Sequence, residues 1–258
     1  MSEHAIAVSE MVGYLDTFLQ VRDIPDETNA VNGLQVENLG SVDRIVAAVD
    51  ASLEAIEGAA PATGGGGTLL LVHHGLFWDG NVPLTDRRYR RVRALFERNI
   101  ALYAAHIPLD VHPEVGNNMV LARRLDITLD GWFGDYRGLR LGVHGDLATP
   151  REDLVRRIEG QLGAPARLIP GGPPVTGRVG VITGSGGGFI GQARAAGLDT
   201  LITGEGAHHT YFDAMEFGLN VIYAGHYATE QVGVQALAQH LGLRFELPWE
   251  FHRHPTGM

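Results

Sequence analysis

The chain has 258 residues, a formal net charge of −10 at pH 7, 45% hydrophobic and 19% charged residues, and no cysteine. This composition is typical of a globular protein large enough for one or two domains, and no stretch is long and apolar enough to predict a membrane span. The acidic balance argues against nucleic acid as a partner, and the lack of cysteine excludes disulfides, catalytic thiols and sulfur-ligated metals.

The first part of the chain predicts helices that alternate with buried strands. Residues 1–20 predict an amphipathic helix and not an export signal, because no basic region precedes an apolar stretch. We therefore expect a cytoplasmic protein. Apolar runs rich in β-branched residues predict buried strands at 44–50, 68–72 and 100–105. Helices are predicted at 52–60, 87–98 and 114–125.

The second part repeats this alternation after an interruption. Residues 126–174 predict only a strand at 140–143, a helix at 150–162 and a linker rich in proline and glycine, so we expect a domain boundary there. Strands are then predicted at 178–183, 200–203 and 220–224, each followed by a helix.

The repeated order predicts an α/β fold of pseudo-duplicated units, with mostly parallel or mixed sheets covered by helices. The first half, residues 1–130, carries His73, His74 and Asp110. The second half, residues 131–258, carries His226 and Glu230. A single interleaved globular unit is the alternative.

Histidine and carboxylate residues cluster where predicted strands end. The clusters are His73-His74, His106 with Asp110, and His226 with Glu230, and the last two share one spacing. Imidazole nitrogen and carboxylate oxygen are the ligands that zinc, iron and manganese prefer. Ligands of α/β sheets collect at the carboxyl ends of strands. The clusters therefore predict a metal site at this edge.

Each cluster also has an ordinary structural interpretation. A vicinal pair such as His73-His74 can be one core and one exposed histidine, since neighbours on a continuing strand point to opposite faces. Asp110 can cap the next helix, and Pro108 predicts a loop before it. Glu230 can lie at the positive end of a helix. From the residues alone, these alternatives stay open.

Two more motifs follow strands in the second half. Glu205, His208 and His209 are expected to contact substrate or to support the ligands without binding metal. Residues 184–191 satisfy G-x-G-x-x-G, the outline of a dinucleotide-binding loop. Its backbone amides could receive an anion, such as a phosphate, at the start of a helix.

The chain resembles the YbgI-like family of dinuclear-metal hexameric proteins, whose members are often called GTP cyclohydrolase I type 2 homologues. The resemblance covers nearly the whole length and is to the short bacterial form, which lacks an inserted middle domain. It is carried by Asn32-Gly33-Leu34-Gln35-Val36, His73-His74-Gly75-Leu76-Phe77-Trp78, His106-Ile107-Pro108-Leu109-Asp110-Val111-His112-Pro113-Glu114, Gly116-Asn117-Asn118, Thr203-Gly204-Glu205 and Gly225-His226-Tyr227-Ala228-Thr229-Glu230.

The resemblance implies two divalent cations per chain, which these ligands suggest are zinc, iron or manganese. The implied ligands are His73, His74, Asp110, His226 and Glu230. Glu230 would bridge the cations, His74 and Asp110 would complete one site, and His73 and His226 the other. The family also implies a toroidal homo-hexamer, a trimer of dimers.

We expect a metal-dependent hydrolase, in which a water between two cations attacks a small substrate, for example a phosphorylated or nucleotide-like compound. His106, outside the five ligands, is the catalytic candidate for proton transfer. The alternative is a non-catalytic metal-binding ring scaffold or a metal-handling or regulatory protein. The interpretation as an oxidoreductase would rest only on the glycine-rich loop of residues 184–191.

Overall fold

The computed structural model describes residues 5–60 and 66–257. Packing divides the chain into two compact units. Unit 1 runs through Leu109 and takes up Val234–His254, and unit 2 comprises Asp110–Gly233 and the residues from Pro255. Within the described ranges, no helix combines the length and the apolar character needed to cross a bilayer.

Unit 1 alternates strands and helices. Its elements are β1 (Ile6–Ala7), α1 (Val8–Phe18), β2 (Gly33–Val36), β3 (Ser41–Val42), β4 (Arg44–Asp50), α2 (Leu53–Gly58), β5 (Thr68–His74), α3 (Asp86–Glu97), β6 (Ile100–Ala104) and, late in the chain, β13 (Trp249–Phe251). A five-stranded sheet has the order β13-β4-β5-β6-β2. The first four strands are parallel, and β2 is antiparallel to β6.

The parallel strands of unit 1 are buried because their sequences are continuous apolar runs. Val46, Leu70 and Leu102 of three neighbouring strands pack in one cluster with Leu95 of α3. Burying each such side chain stabilises the fold by about 1.5–3 kcal/mol. The register also pairs Asp50 with His74. A carboxylate therefore lies beside a predicted metal ligand.

Unit 2 is built on a six-stranded mixed sheet. Its elements are the last residue of α4 (Ile107–Asp110), α5 (Asn117–Arg124), β7 (Thr128–Tyr136), β8 (Leu139–Asp146), α6 (Arg151–Leu162), β9 (Arg167–Pro170), β10 (Arg178–Ile182), a 3-10 turn at Gly186–Phe189, α7 (Ile190–Ala195), β11 (Thr200–Thr203), α8 (Thr210–Phe217), β12 (Asn220–Tyr223) and the start of α9 (His226–Phe245). The strand order is β7-β8-β10-β11-β12-β9. β10, β11 and β12 are parallel, and the other pairings are antiparallel.

The core of unit 2 lies between this sheet and its helices. Val181, Ile202 and Ile222 of the three parallel strands pack with Leu121 of α5 and Val232 of α9. All five side chains are fully buried. The parallel strands end where the loops toward Thr183, Gly204 and His226 begin, so this core fixes the backbone from which the second set of predicted ligands projects.

The predicted α/β class with mixed sheets is confirmed. Residues 126–174 lie wholly in unit 2. The two units are defined by packing in space, whereas the predicted halves were defined by the order of motifs along the sequence. The division into residues 1–130 and 131–258 therefore stays a prediction.

Several details of the predicted elements are wrong. β7, β9 and β13 occupy residues for which no strand was predicted. β5 continues through His74 and does not end before His73. Ile107–Asp110 forms one helical turn, α4, instead of a loop. Pro108 is compatible with that turn because the first N–H groups of a helix have no intrahelical acceptor.

Candidate metal-binding residues

Three histidines of unit 1 gather at the carboxyl ends of β5 and β6. His73 and His74 are the last residues of β5, and His106 follows β6. One potential ligand nitrogen from each lies within 4.8 Å of those of the other two. His73 is fully buried. The structure thus groups His106, predicted to lie outside the ligand set, with two predicted ligands.

The vicinal pair stays together although the strand continues through it. The rings of His73 and His74 have centroids 4.7 Å apart and an interplanar angle of 50°. The pair lies at the very end of β5, with His73 buried and His74 partly exposed.

Each of the three imidazoles is held at Nδ1 by an oxygen atom. The acceptors, each 2.8 Å away, are the Ala105 carbonyl oxygen for His73, Asp50 Oδ1 for His74 and Asp26 Oδ1 for His106. Carbonyl and carboxylate oxygens only accept hydrogen bonds, so the proton of each neutral ring lies on Nδ1 and the lone pair on Nε2. Metal-binding histidines are oriented in this way.

Asp26 anchors the segment that carries His106. Its side chain is only 6% exposed. Asp26 Oδ2 accepts hydrogen bonds from Asn32 Nδ2 at 2.8 Å and from the Ile107 amide at 3.0 Å. Burial raises the pKa of Asp26, but hydrogen bonding and charge from His106, together with Asn32, outweigh burial and lower it below its usual value. Asp26 is therefore an anion at neutral pH and fixes the orientation of His106.

In unit 2, His226 and Glu230 lie one turn apart at the start of α9, as predicted. Their Nε2 and Oε2 atoms are 3.1 Å apart. His226 Nδ1 donates to Glu205 Oε1 at 2.8 Å. Hydrogen bonding to Glu230 raises the pKa of His226 to about 9, burial opposes the rise, and Glu205 adds to it. Glu205 therefore supports His226, whereas His208 and His209 are exposed at the start of α8.

Asp110 is a buried carboxylate held by asparagine side chains. It is 6% exposed, and its Oδ1 accepts a hydrogen bond from Asn117 Nδ2 at 2.8 Å. It does not cap the next helix, whose N-cap is Gly116 without a side-chain hydrogen bond. Among the described residues, Asp110 falls outside the groups of three or more ligand atoms that lie within 4.8 Å of one another.

In the glycine-rich loop of residues 184–191, three backbone amides already donate hydrogen bonds to other groups of the protein. The amides of Gly184, Gly186 and Gly187 donate, each over 3.0 Å, to Thr229 Oγ1, Thr203 Oγ1 and the Glu205 carbonyl oxygen, respectively. These three amides are therefore not available to a phosphate, because each already donates a hydrogen bond. The helix that follows, α7, has only six residues.

Asp26 and Asp50 are supporting residues that were not predicted. Asp50 ends β4, next to the strand that ends on His74, so the rule that sites form at strand ends could have found it. Asp26 lies in a loop 80 residues before its partner His106, and no local spacing indicates that contact.

The described residues therefore include histidine and glutamate side chains arranged so that they could hold a metal ion. A family model described as Duf34/NIF3 (NGG1p interacting factor 3) matches residues 6–255. A Deinococcus radiodurans protein named GTP cyclohydrolase 1 type 2 homolog is 46% identical over 257 residues, which cover 98% of this chain and 95% of that protein. A Pseudomonas aeruginosa protein of the same name is 41% identical, with 94% and 95% covered.

Solved structures agree with this match. Protein ybgI, described as of unknown function, superposes with a TM-score of 0.89 at 35% identity, covering 98% of this chain and 100% of that one. A Thermus thermophilus protein superposes with a TM-score of 0.84 at 40% identity and the same coverage.

Proposed function

Because the chain belongs to the Duf34/NIF3 family, we propose that it is a metal-dependent hydrolase that binds two divalent cations per chain. The proposed ligands are His73, His74, Asp110, His226 and Glu230. The main observation in support is that His73, His74 and His226 are each held at Nδ1 by an oxygen acceptor. This hydrogen bond places the lone pair of the neutral ring on Nε2, where a metal would bind. Only nitrogen and oxygen donors are present, which suits zinc, iron or manganese.

The two carboxylates support this proposal through their burial. Asp110 is 6% exposed and Glu230 is 3% exposed. A buried carboxylate costs free energy unless positive charge and hydrogen bonds compensate it. Divalent cations would supply such charge and, once bound, Lewis-acid activation of water and substrate. Glu230 is our candidate for the ligand shared by both cations.

His106 is the proposed group for proton transfer. Its Nδ1–H is held by the anionic Asp26, so the neutral ring carries its lone pair on Nε2 and can exchange a proton with substrate there. The name of the relatives, GTP cyclohydrolase 1 type 2 homolog, supports a small phosphorylated or nucleotide-like substrate.

Metal reconstitution tests the ligand set. Chelator-treated protein would be loaded separately with zinc, iron(II) and manganese, and the metal content per chain measured by elemental analysis. We expect two cations in the wild type and almost none in Glu230→Ala. Glu216→Ala, an exposed glutamate in α8, should retain both. Full occupancy in Glu230→Ala would overturn the bridging role, and a wild type without metal would overturn the whole proposal.

A screen of phosphate esters and nucleotides on the loaded protein tests the reaction. We expect His106→Gln to keep both cations and to lose activity by about 10²–10⁴-fold, as for a general acid or base. Loss of metal from this variant would instead make His106 a ligand. A fully loaded wild type that hydrolyses nothing in the screen would favour the non-catalytic scaffold.

We also propose a cytoplasmic homo-hexamer, a trimer of dimers. Tyr211, Phe212, Met215 and Phe217 of α8 are between 42% and 52% exposed, and clustered exposed apolar side chains are typical of interaction surfaces. Light scattering should give six times the 27.8 kDa chain mass for the wild type and a smaller assembly for Phe212→Asp. A monomeric wild type would contradict this assembly.

A further inference from the structure

A small cavity of unit 1 opens beside His74. Its volume is about 180 Å³, and its walls include Asp50, His74, Trp78, Asp79, Arg87 and Arg91. Pockets for whole drug-sized ligands are usually about 300–1,000 Å³. This cavity therefore fits one polar group of a ligand, such as a phosphate or a carboxylate.

The two carboxylates on its wall are already engaged. Asp79 accepts hydrogen bonds from Arg87 at 3.2 Å and from Arg88. Asp50 accepts the Nδ1–H of His74 at 2.8 Å. Each carboxylate on this wall therefore already accepts at least one hydrogen bond from a side chain of the protein.

Arg91 differs from the other arginines of this wall. Within residues 5–60 and 66–257, its guanidinium makes no hydrogen bond or ion pair, and its Nε atom is buried. Burial lowers the pKa of Arg91, and the charge of Arg87 lowers it further, while Asp79 and Asp50 act in the opposite direction. The positive charge of Arg91 is therefore only partly compensated.

Trp78 provides a second donor without a partner on the same wall. Its indole Nε1 is buried and makes no hydrogen bond in the part of the chain that the structure describes. The ring packs with its edge against His106, with centroids 4.9 Å apart. Buried donors are nearly always satisfied in folded proteins, by protein, water or ligand. Trp78 Nε1 and Arg91 Nε are both enclosed by the protein, so the Arg91 guanidinium N–H groups are the donors of this wall that remain for a ligand.

We propose that this cavity binds an oxyanion group of the substrate, a phosphate or a carboxylate, and that Arg91 is the residue that selects it. A guanidinium presents several N–H groups in a plane that matches both anions. The cavity includes His74, so an anion held there would bring the rest of the substrate to the imidazole cluster. That the bound anion belongs to a substrate rests on the proposed function, whereas binding of the anion itself does not.

Calorimetry on chelator-treated protein tests the anion site apart from any metal. The probes are inorganic phosphate and acetate, and the variants are Arg91→Gln, Arg91→Lys and the control Arg90→Gln. Arg90 lies on the same helix and is exposed, so its substitution removes the same charge from outside the cavity. We expect Arg91→Gln to weaken binding of the preferred anion by about tenfold or more, from the loss of a charge-assisted contact. Arg91→Lys should be intermediate and Arg90→Gln within about twofold.

The outcomes separate the two proposals. Equal anion affinity in wild type and a folded Arg91→Gln variant would overturn the role of Arg91, as would equal loss in Arg90→Gln, which would indicate general attraction by surface charge. Binding of neither anion by the wild type would overturn the site. Arg91-dependent binding in a protein that holds no metal when reconstituted would leave the anion site standing and remove only the hydrolase proposal.

Discussion

Asn117 donates a hydrogen bond from Nδ2 to Asp110 Oδ1 at 2.8 Å, and its own Oδ1 accepts the amide of Gly233 at 2.7 Å. Asn117 is fully buried, so neither bond competes with water. A Cβ atom at Gly233 would lie 2.5 Å from Asn117 Oδ1. One amide side chain therefore links the proposed ligand Asp110 to the backbone of α9.

Asn117→Ala should lower both stability and metal content. The change leaves the Gly233 amide without its acceptor, at about 1–3 kcal/mol, and removes the hydrogen bond to Asp110, at about 0.5–1.5 kcal/mol. The unfolding free energy should therefore fall by about 2–4 kcal/mol. Urea denaturation of metal-free protein measures this cost. Asn81→Ala, at an exposed position, should change stability by less than about 0.5 kcal/mol. An equally small effect at Asn117 would contradict the link.

Gly184→Ala should displace Glu230. Gly184 has a φ of +65°, and an added Cβ would lie 2.1 Å from Glu230 Oε1. Gly138 has a φ of +84° with nothing within 4 Å of such a Cβ, so Gly138→Ala carries backbone strain alone, of about 1–2 kcal/mol. We expect only Gly184→Ala to lose metal on elemental analysis. Equal metal contents in the two variants would show that Glu230 tolerates the contact.

Asp26 should stabilise the fold in a pH-dependent manner. Its pKa in the folded protein lies below the usual 3.8, so its stabilising contribution is complete above that value and is lost as pH falls through the lower, folded pKa. The gap in unfolding free energy between wild type and Asp26→Asn should therefore narrow as pH is lowered below about 4. Asp23→Asn, at an exposed position in the same loop, is the control. A gap independent of pH would refute the anionic role of Asp26.

Metal binding should strengthen as pH rises toward the pKa of His226. That pKa is raised to about 9 by Glu230 and, in part, by Glu205, so at lower pH a proton occupies the nitrogen that a cation needs. Apparent affinity should rise up to about tenfold per pH unit below that pKa and level off above it. In Glu205→Gln the pKa should fall and the plateau should begin at lower pH. Calorimetric titrations at several pH values measure both curves.

Buried strands were the part of the fold that the sequence predicts best. β4 and β11 coincide with their predicted ranges because each is a short apolar run, buried over most of its length. β7 escaped prediction because its sequence contains two aspartates and two glycines and is mostly accessible to solvent. It is held as a strand by its hairpin with β8, whose turn residues Arg137 and Gly138 both have positive φ.

Of the site, only the proposed metal ligands were predictable from the sequence. Strand ends and the four-residue spacing indicated the proposed ligands, since those signals are local in sequence. The side chains that orient them, such as Asp26 and Asn117, are chosen by tertiary packing, and sequence spacing does not encode those contacts. Arg91 likewise could not be singled out from the sequence, because three more arginines lie between positions 87 and 90. Only its place in the wall of the cavity distinguishes it.

The anchoring of the imidazoles at Nδ1 has a consequence for how fast the protein could take up ions. Turning the ring of His73 over would break its bond to the Ala105 carbonyl oxygen inside a fully buried environment, so the direction of its Nε2 is set during folding. The entropic cost of arranging that donor is therefore already met before an ion arrives. Uptake should then be limited mainly by shedding water from the ion, and hardly at all by rearrangement of this side chain.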